Sequence, residues 1–341
     1  MKKIFKAIAY IVIAAGAAAC ARTVEPGPNE SAKRYLDAWI QINYGPNLKP
    51  SGLGIYVIEE EACKGAAEVK KDGFVYADYV ITDLEGNITS FTDKETAKQL
   101  GQYDTTSYYG PKVITTIENT IQAGLADAII GMKVGGRKKV IIPGWLMTYS
   151  KYDNAEDYLN HASSYEHSIY DITITDFTDS INKYEISQIE KYIKANPAVF
   201  TKPVNDTTGF YYQTITPGTT TKAFPKDTTI YINYTGKLLN GLVFDTTNEK
   251  TAKDNGLYNA GKTYEPVKIK WGEKAAELTM GANNSDIIYG FALTLWHMHA
   301  FEKGVGVFYS PLGYSYSGSG SSIPSYSPLV FEIEVVAKPE D

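Results

Sequence analysis

The chain repeats itself, and that limits what it can fold into. The stretch S-G-L-G-I-Y-V-I at 51–58 returns as T-G-F-Y-Y-Q-T-I at 208–215, so Gly209 stands 157 residues after Gly52. Tyr79 and Tyr234 open the next apolar stretches and are 155 residues apart. A helical segment precedes each first strand. Tyr35, Leu36, Trp39 and Ile40 share a face of 32–43, and Ile186, Ile189 and Ile193 share a face of 186–196. Pro46 and Pro197 follow as stop signals. At 341 residues two domains are comfortable, and 43% hydrophobic content gives each a core. The repeat predicts two copies of one helix-plus-sheet unit.

In the first copy, 75–82 reads as a strand, 85–87 as a turn and 88–91 as the return strand. Apolar residues at 117, 121, 125, 129 and 130 predict a helix over 117–130. Residues 131–143 form a turn and a strand stopped by Pro143, and 169–177 alternates as a closing strand. The second copy keeps this order, with strands at 230–237, 243–246, 267–271 and 306–310 and an apolar segment of helix length at 287–298. Its last strand, 329–336, puts Phe331, Ile333 and Val335 on one face and Glu332 and Glu334 on the other. That alternation fits a half-exposed antiparallel strand. The fold class is therefore α+β. Between Pro311 and Pro328 a Ser/Gly-rich tract carries Tyr314, Tyr316 and Tyr326, which marks it as a binding loop rather than a linker.

Residues 231–247 read Y-I-N-Y-T-G-K-L-L-N-G-L-V-F-D-T-T. Asn240-Gly241 between apolar runs predicts a hairpin turn with positive φ at both residues. Tyr234, Phe244 and Asp245 then lie on paired strands and could share one pocket wall.

This hairpin resembles the signature of FKBP-type peptidyl-prolyl isomerases, and the resemblance extends over 205–338. It implies two units, each a bent antiparallel sheet wrapped on a short helix, with the pocket between sheet and helix. Carried onto this chain, it gives Tyr234, Phe244, Asp245, Ile288 and Tyr316 as catalytic residues. Val267, Ile287, Phe291, Ile323 and Phe331 become substrate-binding residues. Ile288 would offer its backbone N–H to the substrate. Phe291 stands where the family has Trp, and Val267 where it has Phe. Insertions at 248–263 and 273–286 and extra residues at 299–313 depart from the compact pattern. In the first copy Tyr79 and Phe91 persist, Thr92 stands at the acid position, Leu125 replaces the floor aromatic and Tyr170 takes the last wall position. That copy reads as the same fold with a degraded pocket.

The N-terminus reads as a targeting segment. Lys2, Lys3 and Lys6 precede an apolar run at 8–19, too short for a span. Ala17, Ala18 and Ala19 lead to Cys20, which resembles a bacterial lipobox with Ala17 where Leu is usual. The resemblance implies a lipid on Cys20 and an anchored place in the cell envelope, periplasmic or outer-membrane. An ordinary signal peptide is the alternative. The resulting organisation is a signal peptide (1–19), an N-terminal helix and first strand (20–66), a degenerate unit (67–178), a helical linker (179–204) and an isomerase unit (205–338). With Cys20 lipidated, Cys63 has no partner and reads as a half-buried thiol, with a Cys20–Cys63 disulfide as the competing idea. Asp-Thr-Thr or Asp-Ser-Ile at 104, 179, 206, 227 and 245 resembles O-glycosylation acceptors of Bacteroidetes periplasmic proteins.

A net charge of −6 argues against nucleic acid as a partner. The basic cluster Lys133, Arg137, Lys138 and Lys139 and the acidic run Glu59, Glu60 and Glu61 read as solvated strand edges. His297 and His299 diverge by about 200° at helical spacing, which favours polar residues at a helix end over a metal site. No phosphate-binding glycine motif occurs and no cofactor is expected. Two functions remain open. One is an isomerase acting on proline-containing chains of exported proteins. The other is a non-catalytic module that holds such chains.

Overall fold

A computed structural model describes residues 27–64 and 67–340. The Cys20 lipidation site and the targeting segment lie outside the described residues. In chain order the first unit comprises α1 (Glu30–Asn43), β1 (Tyr56–Glu61), β2 (Phe74–Thr82), β3 (Ile88–Phe91), α2 (Lys94–Gln99), β4 (Lys112–Thr115), α3 (Ala123–Ile129), β5 (Arg137–Ile142), α4 (Ala155–His161) and β6 (Ser168–Thr178). A helix, α5 (Ile181–Ala195), leads to the second unit. That unit holds β7 (Val204–Thr207), β8 (Phe210–Thr216), β9 (Thr229–Leu238), β10 (Val243–Thr246), α6 (Glu249–Asp254), β11 (Val267–Lys270), β12 (Thr279–Met280), β13 (Ser285–Asp286), α7 (Tyr289–Trp296), β14 (Lys303–Phe308) and β15 (Leu329–Val336).

Both sheets are antiparallel and share one topology. The first runs β1-β5-β6-β2-β3, with β4 also on β2. The second runs β13-β12-β11-β9-β15-β14-β8-β7, with β10 also on β9. Thus β8, β14, β15, β9, β10 and β11 repeat β1, β5, β6, β2, β3 and β4. Each sheet packs one face on its short helix, α3 or α7, and the apolar alternation of β6 and β15 supplies the core. Ile172 and Ile174 are fully buried in one unit, and Leu329 and Ile333 in the other. Helix α1 adds Leu36 and Ile40 to the first core.

The hairpins match residue for residue, and the match corrects the sequence reading. Val80 pairs with Phe91 as Thr235 pairs with Thr246. Tyr79 N–H donates to Thr92 Oγ1 at 3.0 Å, and Tyr234 N–H to Thr247 Oγ1 at 2.9 Å. Thr92 is therefore the counterpart of Thr247, and Phe91 of Thr246. The true counterparts of Phe244 and Asp245 are Thr89 and Ser90. The same bulge occurs in both return strands, so the offset of 155 residues holds through the hairpin, and it is the match of Phe91 to Phe244 by residue type that misplaces the acid position.

The helix expected over 117–130 is helical only over Ala123–Ile129. Asn119 takes a left-handed φ of 63°, and Thr116 Oγ1 is tied to Lys70 C=O at 2.7 Å. These anchors override the helical period upstream of Gln122. The charged runs answer each other across β1 and β5. Arg137 reaches Glu59 at 3.1 Å and Glu61 at 2.9 Å, Lys138 reaches Glu60 at 3.2 Å, and Arg137 forks onto Asp171 at 2.7 and 2.6 Å. Cys63 is a half-buried free thiol.

Candidate functional site

The site is built on the β9–β10 hairpin. Gly241 alone takes positive φ, at 90°; Asn240 does not. Gly241 N–H donates to Leu238 C=O and Leu238 N–H to Leu242 C=O, each at 2.9 Å. The turn is thus a three-residue loop closed by a left-handed glycine rather than the two-residue form expected. Beyond it, Val243 pairs with Lys237 and Asp245 with Gly236, leaving Phe244 as the bulged residue. In a regular strand neighbouring side chains point to opposite faces. The bulge lets Phe244 and Asp245 both serve the same wall.

Phe331 of β15 is the hub of that wall. Its ring lies 4.9 Å from Phe291 and 5.6 Å from Phe244, both edge-on, and 5.8 Å from Phe308, stacked. Tyr234 meets Phe291 edge-on at 5.4 Å. These geometries suit the quadrupoles of aromatic rings. Gly236 makes the approach possible, because a Cβ there would sit 2.5 Å from Phe244 and 2.8 Å from Phe331. Ile287, Ile288, Tyr314 and the buried Ile323 complete the apolar surround. Ile288 is the residue before α7, with φ −61° and ψ 143°. Its N–H makes no hydrogen bond among the described residues. It belongs to the helix-start donors that have no partner within the helix.

Asp245 is held by three donors. Its Oδ2 accepts the Tyr234 hydroxyl at 2.5 Å, and its Oδ1 accepts Thr246 N–H at 2.9 Å and Lys262 Nζ at 2.8 Å. Burial, and then the Asp245 carboxylate, push the Tyr234 phenol far above its ordinary range. Tyr234 therefore stays protonated, as a donor fixed on Asp245. Tyr314 is also raised, by burial and then by Asp245.

Of the residues expected here, the structure brings together Tyr234, Phe244, Asp245, Ile287, Ile288, Phe291, Ile323 and Phe331. Two stand apart. Tyr316 is 70% exposed, and Tyr314, two residues earlier in the same loop, is the tyrosine against the cluster. Val267, on β11, pairs with Ile232 of β9 and does not join the second core, against which Met280 packs. Sequence reasoning missed Phe308, Gly236 and Lys262, and it put Tyr314 in the binding loop but gave the pocket role to Tyr316. Tyr314 was the most readable, as the other tyrosine of Y-S-Y, whereas Lys262 comes from an insertion with no motif.

The corresponding place in the first unit has lost this wall. The Tyr79 phenol has Ser90 beside it rather than a carboxylate. Thr89 stands for Phe244 and points its hydroxyl at Ile81 C=O, 3.2 Å away. Leu125 and Tyr170 are buried in the core, and burial first, then Tyr79, raise the Tyr170 phenol to about 12. The two histidines part company. His297 stacks on Phe210 and Tyr212 at 5.4 and 5.2 Å, while His299 Nδ1 lies 2.9 Å from Glu302. Among the described residues no group of three or more His, Cys, Asp or Glu could hold a metal ion.

Residues 220–336 match the family model FKBP_C, FKBP-type peptidyl-prolyl cis-trans isomerase. The second unit carries an FKBP-type domain. No curated protein matches the chain. Among solved structures it is similar to the three FKBP domains of wheat FKBP73, at 14% identity and a TM-score of 0.30, over 84% of this chain and 95% of that one. It is similar to FkpA from Escherichia coli at 21% identity and 0.31, over 46% and 62%. It is also similar to a peptidyl-prolyl cis-trans isomerase from Pseudomonas syringae at 23% and 0.30, over 47% and 97%.

Proposed function

We propose that the second unit is a peptidyl-prolyl cis-trans isomerase acting on proline-containing chains at the cell envelope, where a lipid on Cys20 would anchor it. The observation that carries this reading is the convergence of Phe244, Phe291 and Phe331 beside the unpartnered N–H of Ile288. Rotation about a prolyl amide needs no nucleophile. Its barrier of about 18–20 kcal/mol comes from amide resonance. The twisted amide has lost resonance and has a less polar carbonyl than the planar one. A dry aromatic wall therefore disfavours the planar ground state relative to the twisted state, which lowers the barrier. The Ile288 N–H orients the chain beside the proline. Asp245 acts through Tyr234, since its oxygens are already engaged by protein donors.

A second reading applies to the first unit. Thr89 and Ser90 at the wall positions make it a non-catalytic module. A protease-coupled assay with a proline tetrapeptide tests the main reading. The wild type accelerates isomerisation, and F244A/D245L loses at least about tenfold of that rate, or about 1.4 kcal/mol. Equal rates for the two proteins would leave chain holding as the function.

A further inference from the structure

The loop of the second unit that flanks the aromatic cluster, residues 310–328, here called the flap, is held from outside that unit at three places. At its base, Ser310 donates its N–H and its hydroxyl to the Glu185 carboxylate of α5, at 2.5 and 2.7 Å, and both residues are buried. At its tip, Ser321 C=O accepts Tyr108 N–H at 2.9 Å, and the hydroxyls of Ser107 and Ser321 are 2.9 Å apart. On its return leg, Tyr326 sits edge-on to Phe74 of β2 at 5.3 Å. The loop 103–111 of the first unit thus grips the flap directly, and its Tyr108 ring packs on the core of the second unit. The same loop braces the insertion after β10, where a side chain at Gly256 would collide with Thr105. A cavity of about 430 Å³ remains between the partners, with Tyr79, Phe91 and Tyr109 on one side and Ser317, Ser321 and Pro324 on the other.

The composition of the flap explains why such a grip matters. Its sequence is rich in Ser and Gly, so its backbone has much conformational freedom to lose on ordering. Yet this loop carries Ile323, 4% exposed, and Tyr314 onto the aromatic cluster. A flap ordered only on arrival of a client would subtract the cost of that ordering from binding.

We infer that the first unit and α5 are positioning elements that hold the flap in place before a proline-containing chain binds, so that the first unit serves as a clamp rather than as a second pocket. This rests on the aromatic cluster being where the chain binds. The test uses the full chain with C20S and C63S, carrying either S107A/Y108A or S107C/S321C. The latter pair replaces two hydroxyls 2.9 Å apart with thiols that can be joined in a reversible disulfide. Amide exchange at 315–327 is read without peptide, and affinity for a fluorescent proline tetrapeptide is read by anisotropy. S107A/Y108A is expected to speed exchange at 315–327 and weaken the peptide about fivefold. The cysteine pair is expected to bind more weakly when reduced and to recover wild-type affinity when oxidised. Unchanged exchange in S107A/Y108A, or weaker binding by the oxidised form than by the reduced one, overturns the clamp. Exchange that responds while no form binds peptide overturns the pocket assignment and supports the clamp's hold on the flap.

Discussion

Gly236 is the residue on which the aromatic wall turns. It is buried where Phe244 and Phe331 close over it, and a methyl group would lie within 2.8 Å of both rings. Gly236→Ala should cost about 1–3 kcal/mol through overpacking and should impair peptide binding as the rings part. Urea denaturation and a binding titration check the two effects, and a stability equal to wild type would mean the rings are not packed as described. Glu302 decides the acid end of the stability profile. Burial alone would raise its carboxyl, but hydrogen bonds from Tyr212, Thr214 and His299 outweigh burial and hold it below the usual range. A depressed folded pKa gives stability that is present above the unfolded value of about 4.3 and is lost as pH falls through the folded value. Glu302→Gln should therefore be less stable than wild type at pH 7, and the gap should shrink on acidification. A gap independent of pH would contradict this.

Glu185 shows the opposite sign at the level of an element. It docks α5 onto the start of the flap, and burial outweighs the two bonds from Ser310 to raise its carboxyl. A raised folded pKa favours the protonated acid. Its contribution is greatest below the unfolded value and fades as pH rises through the folded one. Glu185→Gln keeps an acceptor for the Ser310 N–H and removes a buried charge. It should match or exceed wild-type stability at pH 8, where thermal unfolding would show it, whereas Glu185→Ala should lose about 1–3 kcal/mol by leaving the Ser310 N–H without an acceptor. A large loss in the Gln variant would mean the charge itself holds the helix. Strands and helices were mostly readable from period and punctuation. Matching by residue type was less reliable. Setting Phe91 against Phe244 puts the acid position at Thr92, whereas the pairing common to both hairpins puts it at Ser90, and the left-handed Asn119 stops short the helix that Ile117 and Ile121 predict.

At the scale of the molecule, the repeat announced two units of one topology, because the offset near 155 survives from the first strands to the hairpins. The aromatic wall was legible through the family resemblance, which puts Tyr234, Phe244, Phe291 and Phe331 around one pocket, and the structure brings these four rings together. The contacts between the units were not legible. Tyr108 and Ser321 lie 213 residues apart, and nothing local in either loop names the other. Tyr314 and Tyr316 differ only in how the flap is held, which is a property of the assembled chain. The central claim is that catalysis belongs to the second unit alone. The most direct test is NMR exchange spectroscopy on a proline tetrapeptide with three full-length proteins: wild type, Tyr79→Ala and F244A/D245L. Exchange cross-peaks with the first two, absent with the third, are the expected result. Cross-peaks that survive F244A/D245L and vanish with Tyr79→Ala would place the chemistry in the first unit and contradict the account.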